Sequence, residues 1–244
     1  MATRWHRRAR PRVWAHRGDS AHVTENTLAA FASARAAGAD GLEFDVRLDG
    51  DGVPVVFHDD DLRRLADRAE AVEALSSTAR AAVRLRGDHA IPTLAETIAE
   101  FGDLDLNVEL KPTRPGRGGA LAAAVARVLA DAAAPDRVLV SCFDPIALAQ
   151  LRRRAPHLAR ALLFHPGEAL PLREGMPAYL LGVAAVHPEH ELVTPARVQR
   201  WHRQGWAVNV WTVDDATALR TLDALGVDGV FTNDPAAARV ALDG

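Results

Sequence analysis

Short apolar runs bounded by Gly, Asp or Pro alternate along this chain with longer segments whose apolar residues recur at helical spacing. The first kind predicts strands: RVWA (12–15), GLEFDVRL (41–48), VPVVFHD (53–59), DLNVELK (105–111), RVLVSCF (137–143), ARALLF (159–164), LGVAAV (181–186), AVNVWTV (207–213) and DGVFTND (228–234). The second kind predicts helices. In NTLAAFASARAAG (26–38), Leu28, Phe31 and Ala32 share a face and Gly38 stands at the C-terminal stop. TLAETIAEFG (93–102), GALAAAVARVLADA (119–132), PIALAQLRRRA (145–155), TPARVQRWHRQG (194–205), ATALRTLDALG (216–226) and DPAAARVALD (234–243) follow. Thr93 after Pro92, and Thr194 before Pro195, are helix-start signals.

One strand is supernumerary. VPVVFHD follows GLEFDVRL across LDGDG, a tight turn, which predicts a hairpin-like extension. Without it, eight strand–helix repeats remain, counting the terminal helix. Such repeats demand parallel strands with right-handed crossovers, and eight can close into a barrel. No Ser/Gly-rich linker divides the chain, so the expected organisation is a basic, flexible arm at 1–11 and one barrel domain at 12–244. A charged excursion at about 60–90 interrupts it.

Composition narrows the function without choosing it. At 244 residues, 48% hydrophobic and 25% charged, the chain has material for a sizeable core. A net charge of −3 gives no global reason to expect nucleic acid or an acidic membrane as partner. Cys142 is the single cysteine, so no intramolecular disulfide is possible; in RVLVSCF it reads as core packing and fits a reducing compartment. No apolar run reaches 18 residues and no signal-length segment follows the basic start, so the expectation is a cytoplasmic protein without stable membrane insertion. Oligomeric state is not legible.

In barrels of this kind chemistry gathers at the C-terminal strand ends, and the reactive side chains fall there. His16 and Arg17 end the first strand; Glu43 and Asp45 lie two apart on the second, hence on one face. Glu109 and Lys111 repeat that spacing on the next parallel strand, and His58 with Asp59 closes the extension. Glu43, Asp45 and Glu109 converging would repel unless a proton, a basic residue or a metal neutralises them. Oxygen ligands on rigid strands suit one divalent cation, Mg²⁺ or Ca²⁺; the competing reading pairs these acids with arginines such as Arg47. Two imidazoles, His16 and His58, can serve as general base and general acid. Arg17 and Lys111 add fixed cations suited to a phosphodiester. His165, His187 and His190 lie near later strand ends and could line the mouth.

The ordered series HRG, EN, E-x-D, HD, E-x-K, W-T-V and T-N-D-P, with IPTL at 91–94, resembles the glycerophosphodiester phosphodiesterase family over residues 13–235. The resemblance implies a TIM (β/α)₈ barrel with a small insertion after the second strand. It implies metal-dependent hydrolysis of small-molecule glycerophosphodiesters to glycerol 3-phosphate and an alcohol. His16 and His58 would be the acid–base pair, and Glu43, Asp45 and Glu109 the metal ligands. Arg17 and Lys111 would hold phosphate, Glu25 and Asn26 shape the site beside His16, and Trp211 wall the glycerol side. Asp214 stands where the family usually has Asn after W-T-V, a charge near the rim that bears on head-group preference. A phosphoinositide-cleaving lipase would need an aromatic-rich lip, against which an aromatic content of 5% argues. Lysophospholipase D activity on single-chain lipids is a nearer alternative. A catalytically silent phosphodiester-binding module is another, although no histidine or acid of the set is substituted.

Overall fold

The computed structural model describes residues 3–7, 9–114, 118–132 and 134–244. Eight parallel strands close a barrel: β1 (Arg12–His16), β2 (Gly41–Leu48), β4 (Asp105–Leu110), β5 (Val138–Cys142), β6 (Ala159–Phe164), β7 (Ala185–Pro188), β8 (Ala207–Val210) and β9 (Gly229–Thr232). Closure comes from β1, which pairs with β9 on one side and β2 on the other. The remaining strand, β3 (Pro54–Val56), pairs antiparallel with β2, as the LDGDG turn predicts. Helices cover the outside, so strand residues are buried on both faces. This is the TIM barrel expected from the repeats.

Local chemistry explains the elements. The helix Leu94–Phe101 starts with a capping box: Thr93 accepts from the Glu96 N–H, and the Glu96 side chain accepts from the Thr93 N–H. Thr27, Asp144, Thr194, Asp215 and Asp234 cap five further helices through side-chain oxygens. Inside the barrel floor, Trp14 stacks on Phe231 at 5.9 Å between ring centroids. Its indole fits because the neighbouring strands offer Gly41 and Gly229. A Cβ on Gly41 would sit 2.5 Å from the Trp14 ring, and one on Gly229 2.8 Å from its Nε1. Across the barrel, Ala161, Ala185 and Ala207 leave the matching space.

Two segments differ from the sequence reading. LGVAAV is not all strand: Leu181 ends a helical turn, Gly182 takes φ +60°, and β7 starts only at Ala185. The connection before it, rich in Pro and Gly, forms two single turns, Leu170–Arg173 and Ala178–Leu181, where the other repeats have longer helices. The basic arm, expected from its charge to be flexible, lies under the barrel in its described residues. Trp5 is 3% exposed, and Arg4 and Arg12 both reach Asp105.

The excursion after β3 has a small core of its own, in which Leu62, Leu65, Val72, Leu75, Val83 and Leu85 pack against Val55 and Phe57. It therefore sits directly on the hairpin that carries His58. Among the described residues no helix is long and apolar enough to cross a membrane.

Candidate active site

Strand register assembles the acids. His16 pairs with Glu43 across β1 and β2, and Asp45 pairs with Glu109 across β2 and β4. One oxygen from each of Glu43, Asp45 and Glu109 lies within 4.8 Å of the others. All three residues are buried, Asp45 completely. Glu43 Oε1 has no hydrogen-bond partner among the described residues. Asp45 Oδ1 and Glu109 Oε1 meet the Lys111 ammonium at 3.2 and 2.5 Å.

Electrostatics divides the three acids. Burial, with the charges of Asp45 and Glu109, pushes Glu43 well above the usual carboxylate range. Burial also raises Glu109, against the pull of Lys111. Burial would raise Asp45 as well, but Lys111 and Arg17 outweigh it and hold that group ionised. The wider network has five carboxylates, Glu25, Glu43, Asp45, Asp59 and Glu109, against three fixed cations, Arg17, Arg64 and Lys111. A divalent cation matches that imbalance, and Glu43 Oε1, which has no hydrogen-bond partner among the described residues, is a natural ligand for it. These residues fit one such ion. Arg47 does not neutralise them: its guanidinium donates to the His58 carbonyl at 2.8 Å and pairs with Asp60 at 2.7 Å. A second set, Asp19, His22 and Asp234, is committed elsewhere, with Asp19 bonded to both His22 and Ser33.

The HRG turn is built for close approach. Arg17 and Gly18 both have positive φ, +59° and +84°, and a Cβ on Gly18 would lie 2.7 Å from the Ala30 backbone. In this strained conformation the Arg17 N–H donates to Glu43 Oε2 at 3.0 Å. Its guanidinium reaches Asp45 at 3.1 Å and Glu25 at 2.9 Å. Asn26, also at positive φ, donates its amide to Asp45 Oδ2 at 2.9 Å. Glu25 and Asn26 thus hold the site's charges in place from behind.

Tautomers follow from the partners. The Asp214 carboxylate accepts from Asn233 Nδ2 at 2.7 Å, so the other end of that amide, Oδ1, faces His16 Nδ1 at 2.8 Å. His16 therefore carries its proton on Nδ1 and keeps a lone pair on Nε2. Burial, reinforced by Arg17, lowers its pKa to about 4, so it is neutral at physiological pH. His58 donates Nδ1–H to Asp59 at 2.7 Å, which frees Nε2 in the same way. Its pKa is also lowered, by burial first. Both histidines border a cavity of about 230 Å³ together with Arg17, Glu43, Glu109 and Lys111.

The far wall is aromatic. Trp211 donates its indole N–H to the His187 carbonyl at 2.7 Å and meets Phe143 edge-on at 5.4 Å. His187 is wholly buried, hydrogen-bonded to Asn209, and does not line the mouth; burial lowers its pKa to about 3. Asp214 is occupied by Thr232 and Asn233 and acts on His16 through the latter. Sequence reasoning missed Phe143, Asn233 and Arg64. A signal existed for Asn233, the first residue after β9, but none for the others.

The chain is similar to known proteins over most of its length. Residues 16–237 match the glycerophosphoryl diester phosphodiesterase family. A glycerophosphodiester phosphodiesterase of Caldanaerobacter subterraneus subsp. tengcongensis is 34% identical over 238 residues, 91% of this chain and 94% of that one. One from Bacillus altitudinis is 29% identical, covering 92% and 95%. Among solved structures, an Oleispira antarctica phosphodiesterase in complex with its product sn-glycerol 3-phosphate superposes with a TM-score of 0.87. It is 29% identical over 96% of this chain and 98% of that one.

Proposed function

Since the chain belongs to the glycerophosphoryl diester phosphodiesterase family and is an enzyme that hydrolyses glycerophosphodiesters, we propose that it does so by His16/His58 acid–base catalysis at a divalent metal site. Residues 12–244 act as one catalytic unit. The products are glycerol 3-phosphate, the product held by the Oleispira relative, and an alcohol. The observation that carries this reading is the approach of one oxygen each from Glu43, Asp45 and Glu109 to within 4.8 Å of one another, beside a cavity that Glu43, Glu109 and both histidines line.

Glu43, Asp45 and Glu109 would hold the ion, Mg²⁺ or Ca²⁺. When bound it neutralises phosphoryl charge and acidifies the glycerol hydroxyl next to the ester. Arg17 and Lys111 take the non-bridging phosphate oxygens, exchanging part of their pairing with Asp45 and Glu109 for the substrate. Trp211 and Phe143 wall the glycerol side. The adjacent hydroxyl oxygen attacks phosphorus as one histidine takes its proton at Nε2. The bond from phosphorus to the departing alcohol breaks, and the other histidine, which has to enter the cycle as the imidazolium with a second proton on Nε2, gives that proton to the oxygen. Water then opens the cyclic glycerol phosphate with the two histidines exchanging roles.

Glycerol 3-phosphate release tests this, using glycerophosphocholine and a lysophospholipid with chelator, Mg²⁺ or Ca²⁺. Metal-restored release from the diester is the expected result. Turnover of the lysolipid alone would move the activity to lysophospholipase D. Binding without release under any metal would leave a silent module.

A further inference from the structure

The excursion at 60–90 contributes one side chain to the site that the roles above leave unused. Arg64, on the turn Arg63–Ala66, is held between two carboxylates. Its Nε and Nη2 donate to Asp59 at 2.7 and 3.0 Å, while Nη1 and Nη2 donate to Glu25, both at 2.7 Å. Both contacts are bidentate, a geometry that a guanidinium allows and an ammonium does not. Asp59 in turn accepts from His58 Nδ1, and Glu25 from the Arg17 guanidinium. One chain of charge-assisted bonds therefore runs His58–Asp59–Arg64–Glu25–Arg17–Asp45, with Arg64 at its centre. The neighbours Leu62 and Leu65 fix the turn by burying themselves in the excursion's own apolar core. The Arg64 side chain is 45% exposed, so its loss opens no cavity.

We propose that Arg64 is a positioning residue through which the excursion completes the active site. It orients the His58 imidazole by way of Asp59 and the phosphate-binding Arg17 by way of Glu25. The proposal rests on the reading of His58 as acid–base catalyst and Arg17 as phosphate ligand. It explains why a hairpin outside the barrel carries a catalytic histidine: the same small core that stabilises the hairpin also delivers the arginine that locks it to the first strand's loop.

The test is a double-mutant cycle of Arg64→Gln and Asp59→Asn, with kcat and KM for glycerophosphocholine measured at saturating metal. Arg64→Gln is expected to lower kcat about 10- to 100-fold and raise KM about 3- to 10-fold while unfolding within ~3 °C of the parent. In the Asp59→Asn background the same substitution should cost less than about threefold in kcat, yet still raise KM through the Glu25 arm. Arg64→Lys, which can reach one carboxylate at a time, should recover only part of the lost kcat. An equal loss of kcat in both backgrounds would overturn the proposal, as would an Arg64→Gln enzyme within twofold of the parent. A His58→Ala enzyme with parental kcat would remove the premise itself, and that result is read independently of the cycle.

Discussion

Glu43→Gln should make the metal-free protein more stable while disabling it. Glu43 is 2% exposed, and one of its oxygens lies within 4.8 Å of oxygens from Asp45 and Glu109. At an effective dielectric of about 20, two unit charges at that separation repel by roughly 3 to 4 kcal/mol. Lys111 and Arg17 offset part of this, and proton uptake by Glu43 limits the rest, leaving about 1–3 kcal/mol to be relieved at pH 8. The glutamine keeps an oxygen for the Arg17 N–H, so that bond survives. For a chain of this size the gain corresponds to about 2–4 °C in Tm per kcal/mol. The pH dependence has a definite sign. A carboxyl whose folded pKa is raised above its ordinary 4.5 contributes stability below that value and loses it as pH rises through the folded pKa. The advantage of the variant should therefore widen from pH 5 to pH 8. Thermal unfolding of both proteins in chelator at the two pH values is the assay. Adding Mg²⁺ or Ca²⁺ should then stabilise the parent more than the variant, because only the parent retains all three ligands. A chelated variant less stable than its chelated parent at pH 8, or a gap that narrows between pH 5 and pH 8, would refute the reasoning.

Two other substitutions separate the site from its surroundings. Asp214→Asn places an amide N–H₂ where the carboxylate accepts from Asn233; kcat should fall about 3- to 10-fold through His16 with the ranking of head groups unchanged. A changed ranking at parental kcat would mean that Asp214 faces substrate. Cys142 is fully buried, and burial pushes its thiol far above the usual range. Cys142→Ala should cost about 1–2 kcal/mol of stability and leave kcat/KM within about twofold, measured by unfolding and turnover side by side.

What the sequence determined by itself are features written at short range. A strand repeats every two residues, so Glu43 with Asp45, and Glu109 with Lys111, share one face whatever the rest of the chain does. Alternating strand and helix patterns settle a right-handed parallel arrangement, and LDGDG settles the antiparallel hairpin that β3 makes with β2. The sixth connection escaped this reading because its prolines and glycines suppress helical periodicity without stating which turns replace it. Tertiary structure alone decided the links that cross the barrel. Asn233 meets His16 from 217 residues away because β9 closes on β1. Asp214 is diverted to that asparagine, and Arg64 joins Asp59 to Glu25 across 39 residues of chain. Arg47 could have neutralised the acids on sequence grounds, but its side chain follows the hairpin to His58 and Asp60. Charge type and spacing fix which groups are able to pair. Which of them do pair depends on distances of a few ångströms, and those exist only once the strands have closed.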